Sequence, residues 1–522
     1  MRGVYLAISR DRWACRADGI VSPMFMRNRP DSDAIVFVRQ WPEESHSPFD
    51  GPDRPRFSLA VSLFAALLLI ASLGTLLWVS SNSPRLDRFD DPERALDLMV
   101  SRTMEAQDGL LLAPEWQQRV TEWSAGSNEV ERAQAIQWYQ ELVAATGSAS
   151  AKLRMAILQA EAGHKPEALV AAASWAGEEA PLPLYAALIE AAYGDDALSG
   201  DREMELQAAL AEALPAGWFY NHLAASMAER AGDVALSVTV REQIHARGQR
   251  IQRLSQVLTG VELLALIGGS CTLLWFGWMN ILQQRDGMRL HRPGVPPPWP
   301  GGVGTAVLLR GGALGAVLSL AFISMTFSEN VSLRAMAIPM ANFPLLGMAY
   351  YYLLKPSGLN FFTGFGLKIP WQQAGQLTGV VLAVVAAGLW GEWVMGRVAE
   401  SLQLTNHWTE WFDPDLVWAS GPVLTISLLE YVVFAPVFEE LAFRGILYAI
   451  LRRRLTPMPA AMISACIFAA AHGYGLIGFI SVFWSGLLWA WLYERTGSLI
   501  PGMIAHATNN LLVCLAVMSL LR

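Results

Sequence analysis

The chain alternates between two textures. Residues 58–80 read SLAVSLFAALLLIASLGTLLWVS, a run without a single charge, long enough to cross ~30 Å of hydrocarbon as a helix. Residues 257–282 form a second run, interrupted only by Glu262. After Val303 the runs crowd together, at about 303–327, 334–354, 374–396, 423–451, 459–476, 477–492 and 499–521. This pattern predicts about nine transmembrane helices. Between the first two runs the texture changes: over 81–250, Ala, Glu, Gln, Leu and Trp dominate, and apolar residues recur at helical spacing, as at Leu153, Ile157 and Leu158. The expected fold class is all-α, a polytopic transmembrane helical bundle with an inserted soluble α-helical domain.

The domain boundaries follow the same textures. Residues 1–57 carry scattered Arg, Pro and Asp with no sustained period and read as a disordered N-terminal tail. They precede transmembrane helix 1 (58–80), the soluble domain (81–250), transmembrane helix 2 (257–282), a Pro-rich connector (283–302) and the C-terminal bundle (303–522). The connector contains Pro293-Gly-Val-Pro-Pro-Pro-Trp-Pro-Gly-Gly302, which favours an extended, stiff conformation. Within 81–250, breaks fall at Gly163, at Gly194-Asp195-Asp196 and at Gly232-Asp233. Gly163 and Gly232 lie 69 residues apart, close to twice the about 34-residue period of helix-hairpin repeats. Glu161-Ala-Gly-His-Lys-Pro-Glu-Ala168 resembles the inter-helix turn of a tetratricopeptide (TPR-like) repeat, while the rest of that consensus is missing. A repeat-like solenoid, which would bind a peptide or protein, and an Ala-rich helical domain without repeats both stay open.

Composition sharpens these expectations. With 53% hydrophobic and 16% charged residues, the chain is neither an ordinary soluble enzyme nor a disordered protein. Its four cysteines form no CxxC, so neither a disulfide framework nor a zinc knuckle is indicated. The net charge is −8, and residues 81–250 hold 26 acidic against 14 basic residues. The acidity therefore belongs to the helical domain, and no basic face advertises nucleic acid as a partner. Arg452, Arg453 and Arg454 follow the 423–451 run and place that end in the cytoplasm. Counting back helix by helix puts 81–250 outside it. Four lysines against 34 arginines hint at a GC-rich bacterial genome. The expected location is then the bacterial cytoplasmic (inner) membrane, with 81–250 extracytoplasmic. Trp390, Trp393, Trp408, Trp411 and Trp418 cluster around 397–422 and read as an interfacial belt on an amphipathic segment.

Charged groups inside a bilayer are costly and usually serve a function. The 423–451 run holds Glu430, Glu439 and Glu440. Arg444 lies four residues past Glu440, so an intrahelical pair would neutralise one carboxylate and leave Glu439 pointing elsewhere. Phe468 and His472 share one face of the next helix, and His506 and Asn510 share one face of the last. Glu, His, His and Asn converging in a dry bundle would form one polar cavity.

The ordered set Glu-Glu-x-x-x-Arg, Phe-x-x-x-His and His-x-x-x-Asn resembles the CPBP (Abi) intramembrane protease family, which includes the CAAX prenyl endopeptidases. The resemblance spans about 303–522 and is sharpest over 435–510. It implies an intramembrane endopeptidase in which Glu439 is the general base for a water shared with His472. His506 and Asn510 would polarise the scissile carbonyl and hold the oxyanion, and Glu440, Arg444 and Phe468 would support them. The implied partners are a membrane-associated protein or peptide substrate and membrane lipid. A metal-free, glutamic-type site is favoured; the alternative is a zinc ion on Glu439, His472 and His506. The competing function is a non-catalytic membrane-anchored scaffold that binds a partner through its helical domain.

Overall fold

A computed structural model describes residues 57–522 apart from 83–84, 283–287, 289–300, 325–335 and 368–370. The N-terminal tail and most of the Pro-rich connector lie outside the described residues. Among those described, the secondary structure is entirely helical.

The membrane helices are α1 (Leu59–Asn82), the C-terminal part of α10 (Val234–Leu282), α11 (Gly301–Ser324), α13 (Ala374–Ser401), α14 (Gly421–Leu451), α16 (Leu476–Thr496) and α17 (Ile500–Leu521). These seven are long and apolar enough to span a bilayer, and with them the chain is an integral membrane protein. Two of the nine expected spans are shorter here. α12 (Ala337–Ala349) carries Pro344 and passes into a π-helical turn, Tyr350–Leu354. α15 (Pro457–Ala470) has 14 residues, since Pro457 sets its start and the Gly473 turn (φ +66°) lies just beyond its end.

The soluble domain packs α2 (Pro92–Leu111), α3 (Glu115–Ala125), α4 (Asn128–Thr146), α5 (Ala149–Glu161), α6 (Lys165–Ala173), α7 (Leu182–Tyr193), α8 (Gly200–Ala213) and α9 (Trp218–Ala231) against the start of α10. Gly163, Gly194 and Gly232 each follow a helix end, at α5, α7 and α9. First helices of successive hairpins begin at 149, 182 and 218, and second helices at 165, 200 and 234. That spacing is close to the about 34-residue hairpin period. Leu153, Ile157 and Leu158 lie in the domain core.

One boundary differs from expectation. The soluble domain does not end before a separate membrane helix, because α10 runs unbroken for 49 residues, about 70 Å at 1.5 Å per residue. No proline occurs between 234 and 282 to stop it. Two glycines notch this rod. A Cβ on Gly248 would stand 2.6 Å from the Gly109 nitrogen of α2, and one on Gly269 would stand 2.2 Å from the Leu382 carbonyl oxygen of α13. Close backbone approach at both points joins the rod to the soluble domain at one level and to the bundle at another.

The tryptophan belt also needs correction. Trp408 has no exposed surface and stacks on Phe89 of the soluble domain at 4.9 Å. Trp408, Phe412 and Val417 belong to that domain's core, and Trp393 Nε1 donates to the Trp123 carbonyl at 2.9 Å. Trp411 and Trp418 are exposed. Segment 402–420 is thus a docking site for the helical domain as well as a link between membrane helices. Arg310 of α11 donates to the Ser58 carbonyl at 2.7 Å and so ties α11 to the start of α1.

Candidate active site

α14 is a composite helix. π-helical turns at Glu430–Phe434 and Glu440–Tyr448 flank a short α-helical piece, Ala435–Glu439. Pro436 accounts for the first: it has no N–H to donate, and its ring would crowd the carbonyl four residues back in a regular α-turn. A wider turn just before it removes the conflict, and such turns recur at functional sites. The second begins at Glu440, so the adjacent carboxylates sit where the helix widens.

Glu440 and Arg444 are buried together, with side chains 1% and 0% exposed, and Arg444 Nη1 stands 2.9 Å from Glu440 Oε1. The contact is close, yet neither atom meets hydrogen-bond geometry, so it is an ion contact rather than an aligned pair. Arg444 Nη2 donates to the Gly486 carbonyl at 3.3 Å. The guanidinium also lies 4.3 Å from the Phe468 ring centroid and 5.0 Å from that of Trp489. The close approach of α16 and α17 follows from Gly486 and Gly502, where a Cβ would crowd Arg444 Nη2 and Glu440 Oε2 respectively.

His506 joins this pair from α17. Its Nδ1 is 3.4 Å from Glu440 Oε1 and its Nε2 is 3.8 Å from Glu439 Oε2. The ring stacks on Trp489 at 3.8 Å with an interplanar angle of 19°. Glu439 keeps 26% of its side chain exposed, unlike Glu440, so the two neighbours face different surroundings. His472 accepts no fixed position from a charge; its Nδ1 donates to the Phe468 carbonyl at 2.8 Å. That bond fixes the tautomer of a neutral ring and leaves Nε2 with the lone pair. The Phe468 ring lies 4.7 Å from the His472 ring and 6.0 Å from that of His506. Asn510 sits one turn beyond His506 and donates through Nδ2 to the Tyr431 carbonyl at 2.9 Å, inside the first π-turn.

Glu439, Glu440, Arg444, Phe468, His472 and His506 are therefore gathered around one aromatic pair, Phe468 and Trp489. Asn510 is anchored beside them on α14. Residues 421–512 match the family model of the type II CAAX prenyl endopeptidases, Rce1-like. The matched segment contains every residue of this cluster and covers a minority of the chain. No curated protein and no solved structure matches the chain.

The matched segment and its surroundings hold residues that the motifs did not point to. Trp489 is one of twenty tryptophans in the chain, and nothing in its local sequence marks it as the ring under His506. Glu410 lies outside the segment, yet its Oε1 accepts from the Gly475 N–H at 3.3 Å. Gly475 caps the start of α16, three residues after His472. Among the described residues, no three His, Cys, Asp or Glu side chains stand close enough to hold a metal ion.

Proposed function

We propose that the chain is an intramembrane endopeptidase that hydrolyses a peptide bond of a membrane-associated protein or peptide with a glutamate-activated water. The convergence of Glu439, His472 and His506 on the buried Glu440–Arg444 contact carries this reading. The Rce1-like match over the same residues supports it.

The roles are those the family resemblance implies, and the geometry supports them. An amide hydrolase without a Ser or Cys nucleophile has to activate water, which calls for a carboxylate reachable by solvent. Glu439 is the partly exposed member of the pair and takes the water's proton. His472, with Nδ1 tied to the Phe468 carbonyl, offers the Nε2 lone pair to the water's second hydrogen. The resulting hydroxide attacks the carbonyl carbon, and the proton on Glu439 passes to the leaving amine as the C–N bond breaks. His506 stands with Nδ1 toward Glu440 and Nε2 toward Glu439, and would present an Nε2–H to the developing oxyanion. The second N–H of Asn510 Nδ2 is the other donor. Buried donors aimed at such charge are worth about 3–4 kcal/mol each. Arg444 balances the charge of Glu440 and so lets Glu440 stay buried beneath His506.

The proposed location is the bacterial cytoplasmic membrane, with the helical domain on the extracytoplasmic side. Glu439→Gln keeps the shape and removes the base. It should lower cleavage by about a thousandfold or more while leaving the protein in the membrane. Comparing the membrane and secreted proteomes of cells carrying the native and Glu439→Gln chains would reveal substrates. Undiminished processing in the variant cells would remove Glu439 from the base role.

A further inference from the structure

The helical domain carries a cleft of about 400 Å³ that peptide-bond hydrolysis does not use. Its floor is one face of α2, where Arg94, Asp97, Leu98, Ser101, Arg102 and Glu105 recur at spacings of three and four. The opposite face of α2, with Ala95, Leu96, Val100 and Met104, fills the domain core. A polar stripe on such a helix ordinarily faces open water. Here it is walled by Arg154 of α5, Arg247 of α10, the turn before α9, and Trp418 from segment 402–420.

The charges in this cleft do not balance. Arg154 is satisfied by Asp97 at 2.8 Å and Glu93 at 3.1 Å. Glu105 alone serves both Arg102, at 3.1 Å, and Arg247, at 2.8 Å. The Arg94 guanidinium lies 4.9 Å from the Trp418 ring centroid and has no carboxylate partner among the described residues. Four arginines thus meet three carboxylates in a domain that is otherwise strongly acidic. Beside them stand apolar walls, Leu98, Leu214, Phe219 and Trp418.

We propose that this cleft binds a single carboxylate carried next to an apolar side chain, as at the C-terminal end of a peptide. Guanidinium forks match a carboxylate in bidentate fashion, and one such group would neutralise the uncompensated charge. A phosphate group brings about −1.5 to −2 and would be repelled by Glu105 and Asp97. The volume lies within the range of small-ligand sites, about 300–1,000 Å³. The occupant would touch Trp418 on the short helix Pro414–Trp418, whose Leu416 carbonyl accepts from Arg522 at the end of α17. Binding would therefore engage both the soluble domain and the membrane bundle. This assignment stands apart from the endopeptidase reading, and its test reads binding alone.

The test is isothermal titration calorimetry on the full chain in detergent micelles with N-acetyl-Leu-Phe, its C-terminal amide and inorganic phosphate. The free acid should bind at least about tenfold more tightly than the amide, the size of one lost charge-assisted hydrogen bond. Arg94→Gln and Arg102→Gln should each weaken the acid about fivefold or more and leave the amide unchanged. Arg119→Gln, an exposed arginine on α3, should change neither. Arg94 is itself exposed, so its substitution leaves the core intact. Equal binding of acid and amide would overturn the proposal, as would phosphate binding more tightly than the acid, or full affinity in Arg94→Gln.

Discussion

Two histidine–carboxylate clusters in this molecule are arranged in opposite ways. In the soluble domain, His222 has Nε2 at 2.9 Å from Asp108 and Nδ1 at 3.2 Å from Glu161. Asp108 also accepts from Trp218 Nε1, and Glu161 from the Tyr193 hydroxyl. Every member has its partners. In the membrane bundle, Glu440 Oε1, Arg444 Nε and Nη1, and His506 Nδ1 are buried without hydrogen-bond geometry to any described group. A saturated network has nothing left to offer a substrate and serves stability. A cluster held by ion contacts at 2.9 and 3.4 Å leaves donors and acceptors open to a third group, and any that stayed unmet would cost about 1–3 kcal/mol. The comparison separates the structural His222 from His506.

The sharpest way to break the comparison is to remove Arg444. Its loss leaves Glu440 buried without a counter-charge, and truncating one member of such a pair costs about 3–5 kcal/mol. Arg444→Leu should lower thermal stability by that order, measured by unfolding in detergent. Adding Glu440→Leu should recover most of that loss, because two apolar side chains can replace a buried pair without penalty. Activity should not return, since His506 would have lost the carboxylate that stands 3.4 Å from its Nδ1. Recovery of activity in the double variant would make the pair merely structural, like the cluster in the soluble domain.

The soluble cluster gives the next effect. Burial of His222 opposes its charge, but the hydrogen bonds and charges of Asp108 and Glu161 outweigh it and raise its pKa to about 9. The folded state therefore holds the proton more tightly than the unfolded chain. This contribution is fully present below about pH 6.5 and is lost as the pH rises through about 9. It is on the order of 3 kcal/mol. His222→Gln should destabilise α9 at pH 7 by that order and flatten the pH dependence between these limits, read by hydrogen exchange in the full chain. Cleavage chemistry should be unchanged wherever the variant is folded. A pH dependence identical to that of the native chain would detach His222 from it.

How much of this was legible in the sequence depends on how local each signal is. Glu439, Glu440, Arg444, Phe468, His472, His506 and Asn510 stand out because polar groups at helical spacing are conspicuous in apolar runs. The Glu440–Arg444 contact is an i,i+4 relation and survives even in a π-turn. The all-helical architecture follows from the same periodicity. The continuity of α10 was not legible, because a polar-to-apolar change in texture looks like a boundary whether or not the backbone bends there. The burial of Trp408 was hidden for a related reason: a tryptophan beside a membrane helix has the same local sequence whether lipid or another domain covers it. Trp489 and Glu410 act through partners distant in the chain, and spacing carries no trace of them.

Glu410 provides the smallest expected effect and the one that links the two regions. His407 Nε2 is 2.9 Å from Glu141 Oε2 of the soluble domain, and its Nδ1 is 2.8 Å from Thr409 Oγ1. Burial lowers the pKa of His407 despite Glu141, so the link holds a neutral ring. One residue beyond Thr409, the Glu410 carboxylate receives the Gly475 N–H at the start of α16, where a negative charge suits the helix dipole. A chain of contacts thus runs from the soluble domain to the turn that carries His472. Glu410 would be a positioning residue: it touches the turn and not the reacting atoms. Glu410→Ala should reduce kcat about three- to tenfold, the equivalent of ~1 kcal/mol for one hydrogen bond, with little change in KM. Glu410→Gln keeps an acceptor oxygen and should restore most of the rate. A merely structural role would lower stability in both variants alike and leave kcat per folded molecule unchanged, and that outcome would cut the connection between the saturated cluster and the unsaturated one.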